Sequence, residues 1–151
     1  MGQFSWSRDN QTIYTAAQYG RDRTLGTLVR FNAFGPANPE VLMPKTANRE
    51  LPKLAKTSVW GPFLFFMSPE IGSRAVMALN LDTREVSTIY RVDGSNIFHF
   101  SVVGADSDQP TLVAVADGIR GSRVAAVTRE GGNWKILGIP WPLYSCDEVN
   151  K

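Results

Sequence analysis

The sequence contains a single cysteine, Cys146, and a single histidine, His99. One thiol cannot form an intramolecular disulfide, and these two residues alone exclude a multi-cysteine zinc site and a histidine-rich metal centre. Charged side chains are also scarce, at 20% of the 151 residues, and they give a formal net charge of +2. This balance argues against a disordered chain and against a strongly basic nucleic-acid binder. We therefore predict no cofactor, no metal and no nucleic-acid partner.

Long hydrophobic runs are missing as well. No apolar stretch approaches the roughly 18 residues that a membrane-spanning helix needs, and the N-terminus has no apolar segment typical of a signal peptide. We expect the chain as given to be soluble and to have no membrane span. The compartment stays open, with a periplasmic or secreted location after signal removal slightly favoured over the cytoplasm.

Helical periodicity is scarce. The best stretch, residues 46–56, places Leu51 and Leu54 three positions apart but carries Pro52 between them, so it predicts one short helical turn. The other apolar runs are short, rich in Val, Ile, Phe and Thr, and bounded by Gly, Pro, Asp or Asn. This pattern indicates strands and turns.

The strands fall into three similar units within a single all-β domain over residues 1–151. We predict units at about 2–44, 57–92 and 96–139, followed by a C-terminal tail at 140–151 that could return as one further strand. Each unit is a four-stranded antiparallel meander, and repeats of roughly 40–50 residues with four strands are typical of propeller blades. Three units are fewer than a closed propeller uses, so the fold class is a partial propeller or a β-sandwich-like stack.

Local sequence similarities support the repeat. Gly72-Ser73-Arg74 and Gly121-Ser122-Arg123 each precede the third strand of their unit. Trp6 and Trp60 fall on first strands at matching places, which predicts packing between the units. Alternation in the second and third strands predicts eight buried side chains: Leu64, Phe66, Val76, Ala78, Leu112, Ala114, Val124 and Ala126.

The first unit also resembles a known family. The run from Phe4 to Ile13 is similar to the TolB-type and WD-repeat-like β-propeller repeat, which usually reads Trp-Ser-Pro-Asp-Gly; here Arg8 replaces the proline and Asn10 the glycine. Asn tolerates the left-handed conformation that glycine supplies, so we expect the turn to form. The segment from Ala78 to Val86 resembles that family's turn between the third and fourth strands. The resemblance implies a propeller-type fold and a tendency to bind other macromolecules, and it implies no activity.

The residues that could support catalysis form no convincing set. Alternation places His99 on one strand face with Ile97 and Ser101, as a hydrogen-bonded inner-strand histidine rather than a base. Asp106 and Asp108 form the only close carboxylate pair, and a solvated turn is favoured there over a cation site. The acidic neighbour of Cys146 disfavours a reactive thiolate. These observations predict a protein that is not an enzyme, with a hydrolase or lyase using a cryptic carboxylate site as an alternative.

Charge placement predicts a binding surface. In a propeller, the loops between second and third strands and those between blades share one end, and assigning the loops in this way collects more basic than acidic side chains there. The opposite end collects more acidic than basic ones. We predict that the basic end binds a protein with an acidic patch through six arginines: Arg74, Arg123, Arg21, Arg23, Arg120 and Arg49. For Arg74 and Arg123, which recur at equivalent places in two units, the alternative is a turn-forming bond to a carbonyl of their own loop.

The predicted function is therefore a non-catalytic protein-binding module. An inhibitor or immunity-type protein that blocks its partner is one specific form. A carbohydrate-binding, lectin-like propeller that uses the tryptophans is a second alternative. Because three blades leave open edges and uncovered apolar faces, we also expect a homodimer.

Overall fold

The computed structural model describes most of the chain: residues 4–19, 25–36, 38–43, 52–55, 58–70, 73–91, 96–103, 111–117, 122–136 and 141–143. These residues contain thirteen β-strands and no helix, and the strands form three antiparallel sheets, none closed into a barrel. The predicted all-β class is confirmed. In the described part of the chain there is accordingly no helix long and apolar enough to cross a membrane.

Sheet A is a meander in the order β1–β2–β3–β4. Its strands are β1 (Phe4–Trp6), β2 (Thr12–Tyr19), β3 (Leu25–Asn32) and β4 (Glu40–Val41). The β1–β2 turn is closed by Ser7 and Asp9, because the Ser7 hydroxyl accepts a hydrogen bond from Thr12 N at 2.9 Å and donates one to the Asp9 carboxylate. Asn10 has a φ of 58°. The expected left-handed residue is therefore confirmed at this position.

Sheet B has the order β5–β6–β7–β8. Its strands are β5 (Val59–Trp60), β6 (Phe63–Glu70), β7 (Ser73–Asn80) and β8 (Val86–Arg91). The segment before β5 pairs with a later part of β6, where Lys53 and Met67 exchange two backbone hydrogen bonds of 3.1 and 2.9 Å. Residues 52–55 are thus extended against β6, and the helical turn predicted over 46–56 is wrong for this described part.

Sheet C has the order β12–β11–β10–β9, and β13 also pairs with β11. Its strands are β9 (Asn96–Val103), β10 (Thr111–Asp117), β11 (Ser122–Glu130), β12 (Asn133–Ile136) and β13 (Trp141–Leu143). Gly131 and Gly132 form the β11–β12 turn with φ of 57° and 82°, which suits a tight hairpin. β12 pairs with one half of β11 and β13 with the other. The tail therefore returns as the predicted further strand, continuing the edge that β12 begins.

The three sheets stack with sheet B in the middle, and two apolar clusters join them. The A–B core contains Tyr14, Leu28, Leu42, Leu54, Leu64, Phe66 and Leu79. The B–C core contains Ala55, Phe63, Phe65, Met67, Val76, Ala78, Ile89, Tyr90, Ile97, Phe100, Leu112 and Val127. Sheet B contributes to both cores, so both of its faces are covered.

Consecutive residues of β6 therefore point into different cores. Leu64 and Phe66 face sheet A, whereas Phe65 faces sheet C, and all three are at most 3% exposed. Val76 and Ala78 of β7 also face sheet C. Leu64, Phe66, Val76 and Ala78 are all buried as predicted, and the two pairs lie on opposite faces of the sheet.

The third unit bears out less of the predicted core. Leu112 is 2% exposed, as expected. Ala126 is only half-buried, because it follows the opposite alternation from Val127, which faces sheet B. Burial of Ala126 was therefore predicted wrongly. The side chains of Ala114 and Val124 lie outside the described part of the structure.

Bulges interrupt the alternation in two strands. In β9, His99 pairs with Val115 and Ile97 with Ala116, which leaves Phe98 as the extra residue. Ile97 and Phe100 consequently contribute to the same core, although strict alternation had assigned them to opposite faces. A second register shift, between β7 and β8, lets neighbouring Ile89 and Tyr90 enter the B–C core together. A bulge reverses the facing of every residue that follows it.

Replacing Phe66 by Ala tests the position of the A–B core. Phe66 is 3% exposed, and truncating a buried phenylalanine costs about 3–5 kcal/mol of unfolding free energy. Phe34 lies in the β3–β4 loop with 76% exposure, so Phe34→Ala is the matched control and should change stability by less than about 0.5 kcal/mol. Urea titration of both variants measures the difference. Equal, small losses would show that Phe66 is not in a packed core.

Candidate functional site

The described turns meet at one end of the stack, which we call the turn end. It comprises residues 7–11, 33–36, 38–39, 61–62, 81–85 and 131–132. Two clefts open there, one between sheets A and B and one between sheets B and C. The turn end is the one assigned more acidic than basic side chains from the sequence.

The A–B boundary is closed at its outer side by ion pairs. Glu40 of β4 accepts a hydrogen bond from Arg30 Nε of β3 at 2.8 Å, and it also binds Arg84 of the β7–β8 turn. Arg84 reaches this position with a φ of 66°, a left-handed conformation that costs a non-glycine residue about 1 kcal/mol or more. One guanidinium nitrogen of Arg84, Nη1, is buried and has no hydrogen-bond partner among the described residues.

Glu40 and its partners have shifted acidities. The hydrogen bond from Arg30, with a further one from Arg84, lowers the pKa of Glu40 below its ordinary value. The same bond to Glu40 raises the pKa of Arg30. Burial raises the pKa of Tyr14, which lies next to Arg30 across the sheet. The carboxylate is thus held charged between two cations that belong to different sheets.

A buried pair of serines joins the same two sheets beside their first strands, β1 and β5. Ser58 N donates a hydrogen bond to Ser5 Oγ at 2.8 Å, and both residues are 0% exposed. The Ser58 hydroxyl in turn accepts a bond of 2.7 Å from Ala55 N. Ser5 belongs to the motif that resembles the propeller repeat, and its described role is to satisfy a buried backbone donor of the next sheet.

The cleft between sheets A and B has a volume of about 540 Å³. The β1–β2 turn supplies Ser7, Arg8 and Asp9, and sheet B supplies the opposite wall with Val59 and Gly61. Hydrogen bonds from the Ser7 hydroxyl and from Gln11 N lower the pKa of Asp9. The Asp9 carboxylate is therefore committed to shaping its own turn.

The cleft between sheets B and C is built around an arginine. The guanidinium carbon of Arg129 lies 4.5 Å from the centre of the Phe63 ring and 4.9 Å from that of Trp134. Trp134 itself packs edge-on against Phe63 and Phe65, with ring centres 5.2 and 5.5 Å apart. A guanidinium group placed this close to two ring centres is favoured by cation–π attraction. The cleft beside it has a volume of about 300 Å³.

Trp6 and Trp60 lie on faces of their sheets that are not equivalent. Trp60 stacks on Phe63, with ring centres 6.0 Å apart, and packs against the B–C core. Trp6 pairs with Ile13 on the face of sheet A that is turned away from sheet B. Both tryptophans occupy the predicted matching places, as the last residues of β1 and β5. The predicted packing between units is confirmed for Trp60 but is wrong for Trp6, whose face is turned away from sheet B. Only the backbone of Trp141 is described.

The outward face of sheet A is apolar, and we call it the outer face. The strand registers align two rows of side chains across it: Phe4, Thr15, Val29 and Val41 in one, and Trp6, Ile13 and Phe31 in the other. Phe4 is 54% and Val41 44% exposed at the ends of the first row, whereas Val29 between them is buried at 3%. The second row is half-buried, and the rows on the opposite face pack on sheet B. Among the described residues, no sheet covers the apolar side chains of this face.

The predicted arginines lie elsewhere. Arg74 and Arg123 are the second residues of β7 and β11, opposite Pro69 and Ala116. They belong to the third strands themselves and not to the loops before them, and their side chains lie outside the described part. Four more of these arginines are outside the described residues altogether: Arg21, Arg23, Arg49 and Arg120. Their role in binding stays a prediction.

The side chains considered for catalysis or metal binding also lie outside the described part of the structure. His99 is described by its backbone only, and Asp106, Asp108 and Cys146 lie outside the described residues. Within the described ranges, no three His, Cys, Asp or Glu side chains are grouped so that they could hold a metal ion. Sequence reasoning missed the sites around Glu40 and Arg129, because both depend on residues of neighbouring sheets.

Comparison with known proteins finds no matching family model and no matching curated protein. The resemblance to TolB-type and WD-repeat-like propellers therefore rests on the turn residues, and membership of that family stays a prediction.

Glu40→Gln should flatten the acid dependence of stability. The pKa of Glu40 is lower in the folded chain than its ordinary value of 4.5. The charged carboxylate therefore contributes stability above about pH 4.5 that is lost as the pH falls through the folded-state pKa. We expect the thermal midpoint of the parent to fall more steeply below this pH than that of Glu40→Gln.

Glu130→Gln is the control for this experiment. It removes an exposed pair with Lys135, 3.1 Å apart, inside a single hairpin, so it breaks no link between sheets. Adding Glu40→Gln to the Glu130→Gln variant should flatten the pH dependence of the thermal midpoint as much as adding it to the parent does. Parallel midpoint curves for the parent and Glu40→Gln would contradict the proposed contribution.

Proposed function

We propose that this chain is a non-catalytic protein-binding module that receives its partner on the outer face of sheet A. The apolar side chains of that face carry the proposal, since Phe4 and Val41 are exposed and Trp6, Ile13 and Phe31 are half-buried. Contiguous apolar patches on a protein surface mark sites of association, and aromatic residues are enriched in protein interfaces. Phe4, Trp6 and Phe31 supply three aromatic side chains on one face of sheet A.

The form of the face favours a protein partner over a small ligand. Two cross-strand rows make a broad, shallow surface, whereas small molecules bind in concave sites. The partner should present an apolar surface of similar extent, with its polar groups at the rim. An inhibitor or immunity-type protein that blocks such a partner is one specific form of this function. The six arginines predicted for the opposite end remain a second candidate surface, for an acidic patch.

Charged substitutions on the outer face test the proposal. The double variant Phe4→Asp/Val41→Asp places two carboxylates on the exposed row, where burying them against a partner carries a large desolvation cost. Ile136→Asp is the matched control, because Ile136 is 52% exposed but lies on β12 of sheet C. Thermal melting should first establish that all variants are folded.

The readout is quantitative affinity capture from cells of the source, with the parent and both variants as baits. We expect a protein that the parent and Ile136→Asp enrich equally and the double variant loses by at least about tenfold, which corresponds to about 1.4 kcal/mol. Light scattering of the purified chain separates a different partner from a second copy. Equal capture by all three baits would show that the outer face does not bind the partner.

A further inference from the structure

Opposite charges are paired at one boundary of sheet B and, among the described residues, unpaired at the other. At the A–B boundary, Glu40 of one sheet is paired with Arg84 of the next. At the B–C boundary, Glu85 and Arg129 face a common cleft, and in the described part of the chain neither side chain forms an ion pair or a hydrogen bond. Two unpaired opposite charges thus line one opening of about 300 Å³.

The walls of this cleft offer complementary polar groups. Sheet B supplies Asn80, Glu85 and Ser87, and sheet C supplies Arg129 and Asn133. Asn80 Oδ1 is committed to its own turn, since it accepts hydrogen bonds of 2.9 and 3.1 Å from the backbone of residues 82 and 83. Among the described residues, Glu85 is the one acidic residue that lines the cleft.

Arg129 is positioned before any ligand arrives. Its guanidinium lies against both rings of the Phe63–Trp134 pair, which restricts the rotamers of a long side chain without using its N–H donors. A guanidinium group held in this way can donate two parallel hydrogen bonds to a carboxylate. Little ordering cost remains to be met when a ligand binds.

We propose that the B–C cleft binds a small zwitterion of the α-amino acid class. The ligand carboxylate pairs with Arg129, and its ammonium group pairs with Glu85 on the facing wall. The volume lies at the lower end of the range for small-molecule sites, roughly 300–1,000 Å³, which suits a ligand of this size. An anion alone would use only Arg129 and an amine alone only Glu85, whereas a zwitterion uses both groups. This site is separate from the outer face of sheet A, so it stands or falls independently of the proposed protein-binding function.

Calorimetric titration of the full chain with L-alanine tests this proposal. Propionate and ethylamine are the matched probes, since each retains only one of the two charged groups. We expect saturable binding of L-alanine, and binding of either single-charge probe at least about tenfold weaker.

Glu85→Gln is the decisive variant, because the Glu85 side chain makes no described hydrogen bond whose loss could unfold the chain. It should weaken L-alanine binding at least about tenfold. Arg129→Gln should do the same, with a melting curve recorded because Arg129 also packs on two rings. Lys135→Gln alters a charge on the same hairpin but outside the cleft, and it should bind like the parent. The proposal is overturned by a chain that shows no saturable binding of L-alanine, by equal affinity for propionate, or by unchanged affinity in Glu85→Gln.

Discussion

Burial of both faces of sheet B is the constraint on which the rest of the structure depends. The run from Phe63 to Met67 is buried at every position, which a strand can achieve only when a layer packs on each side of its sheet. Sheet A covers one face and sheet C the other, so neither outer sheet can be removed without exposing aromatic side chains of β6. Each outer sheet, in contrast, has a second face that no described sheet covers.

The boundaries on either side of sheet B are built from different chemistry. The A–B boundary combines an aliphatic core with a carboxylate between two arginines and a buried serine pair. The B–C boundary is aromatic, and its arginine is stacked on rings rather than paired with an acid. A paired boundary resists opening, whereas an unpaired one retains the capacity to recognise a ligand. The two proposals made here follow from this asymmetry and from the apolar outer face.

What the sequence predicts well is local. The three meanders and the left-handed Asn10 follow from alternating runs and turn residues that lie within a few positions of each other. The Ser-Arg pairs before Ala75 and Val124 were also correctly placed near third strands, although they lie inside those strands. Such features need no knowledge of how the sheets pack.

What the sequence does not predict depends on register and on contacts between sheets. One bulge residue, Phe98, is enough to place Ile97 and Phe100 in the same core. The bond between Arg84 and Glu40 joins residues 44 positions apart, and no spacing rule finds such a pair. In the sequence, Arg129 is a charged residue next to a turn. Its contact with the Phe63 ring depends on how the neighbouring sheet packs. The candidate sites therefore emerge only from the stacking.

Native-state hydrogen exchange, resolved by residue, tests the central position of sheet B most directly. Amides that open only on global unfolding exchange slowest, and those at a frayed or open edge exchange fastest. Burial of both faces of sheet B predicts that amides of β6 and β7 exchange more slowly than those of β2, β3, β10 and β11. Exchange of β6 and β7 as fast as, or faster than, the corresponding strands of sheets A and C would contradict a sheet buried on both faces.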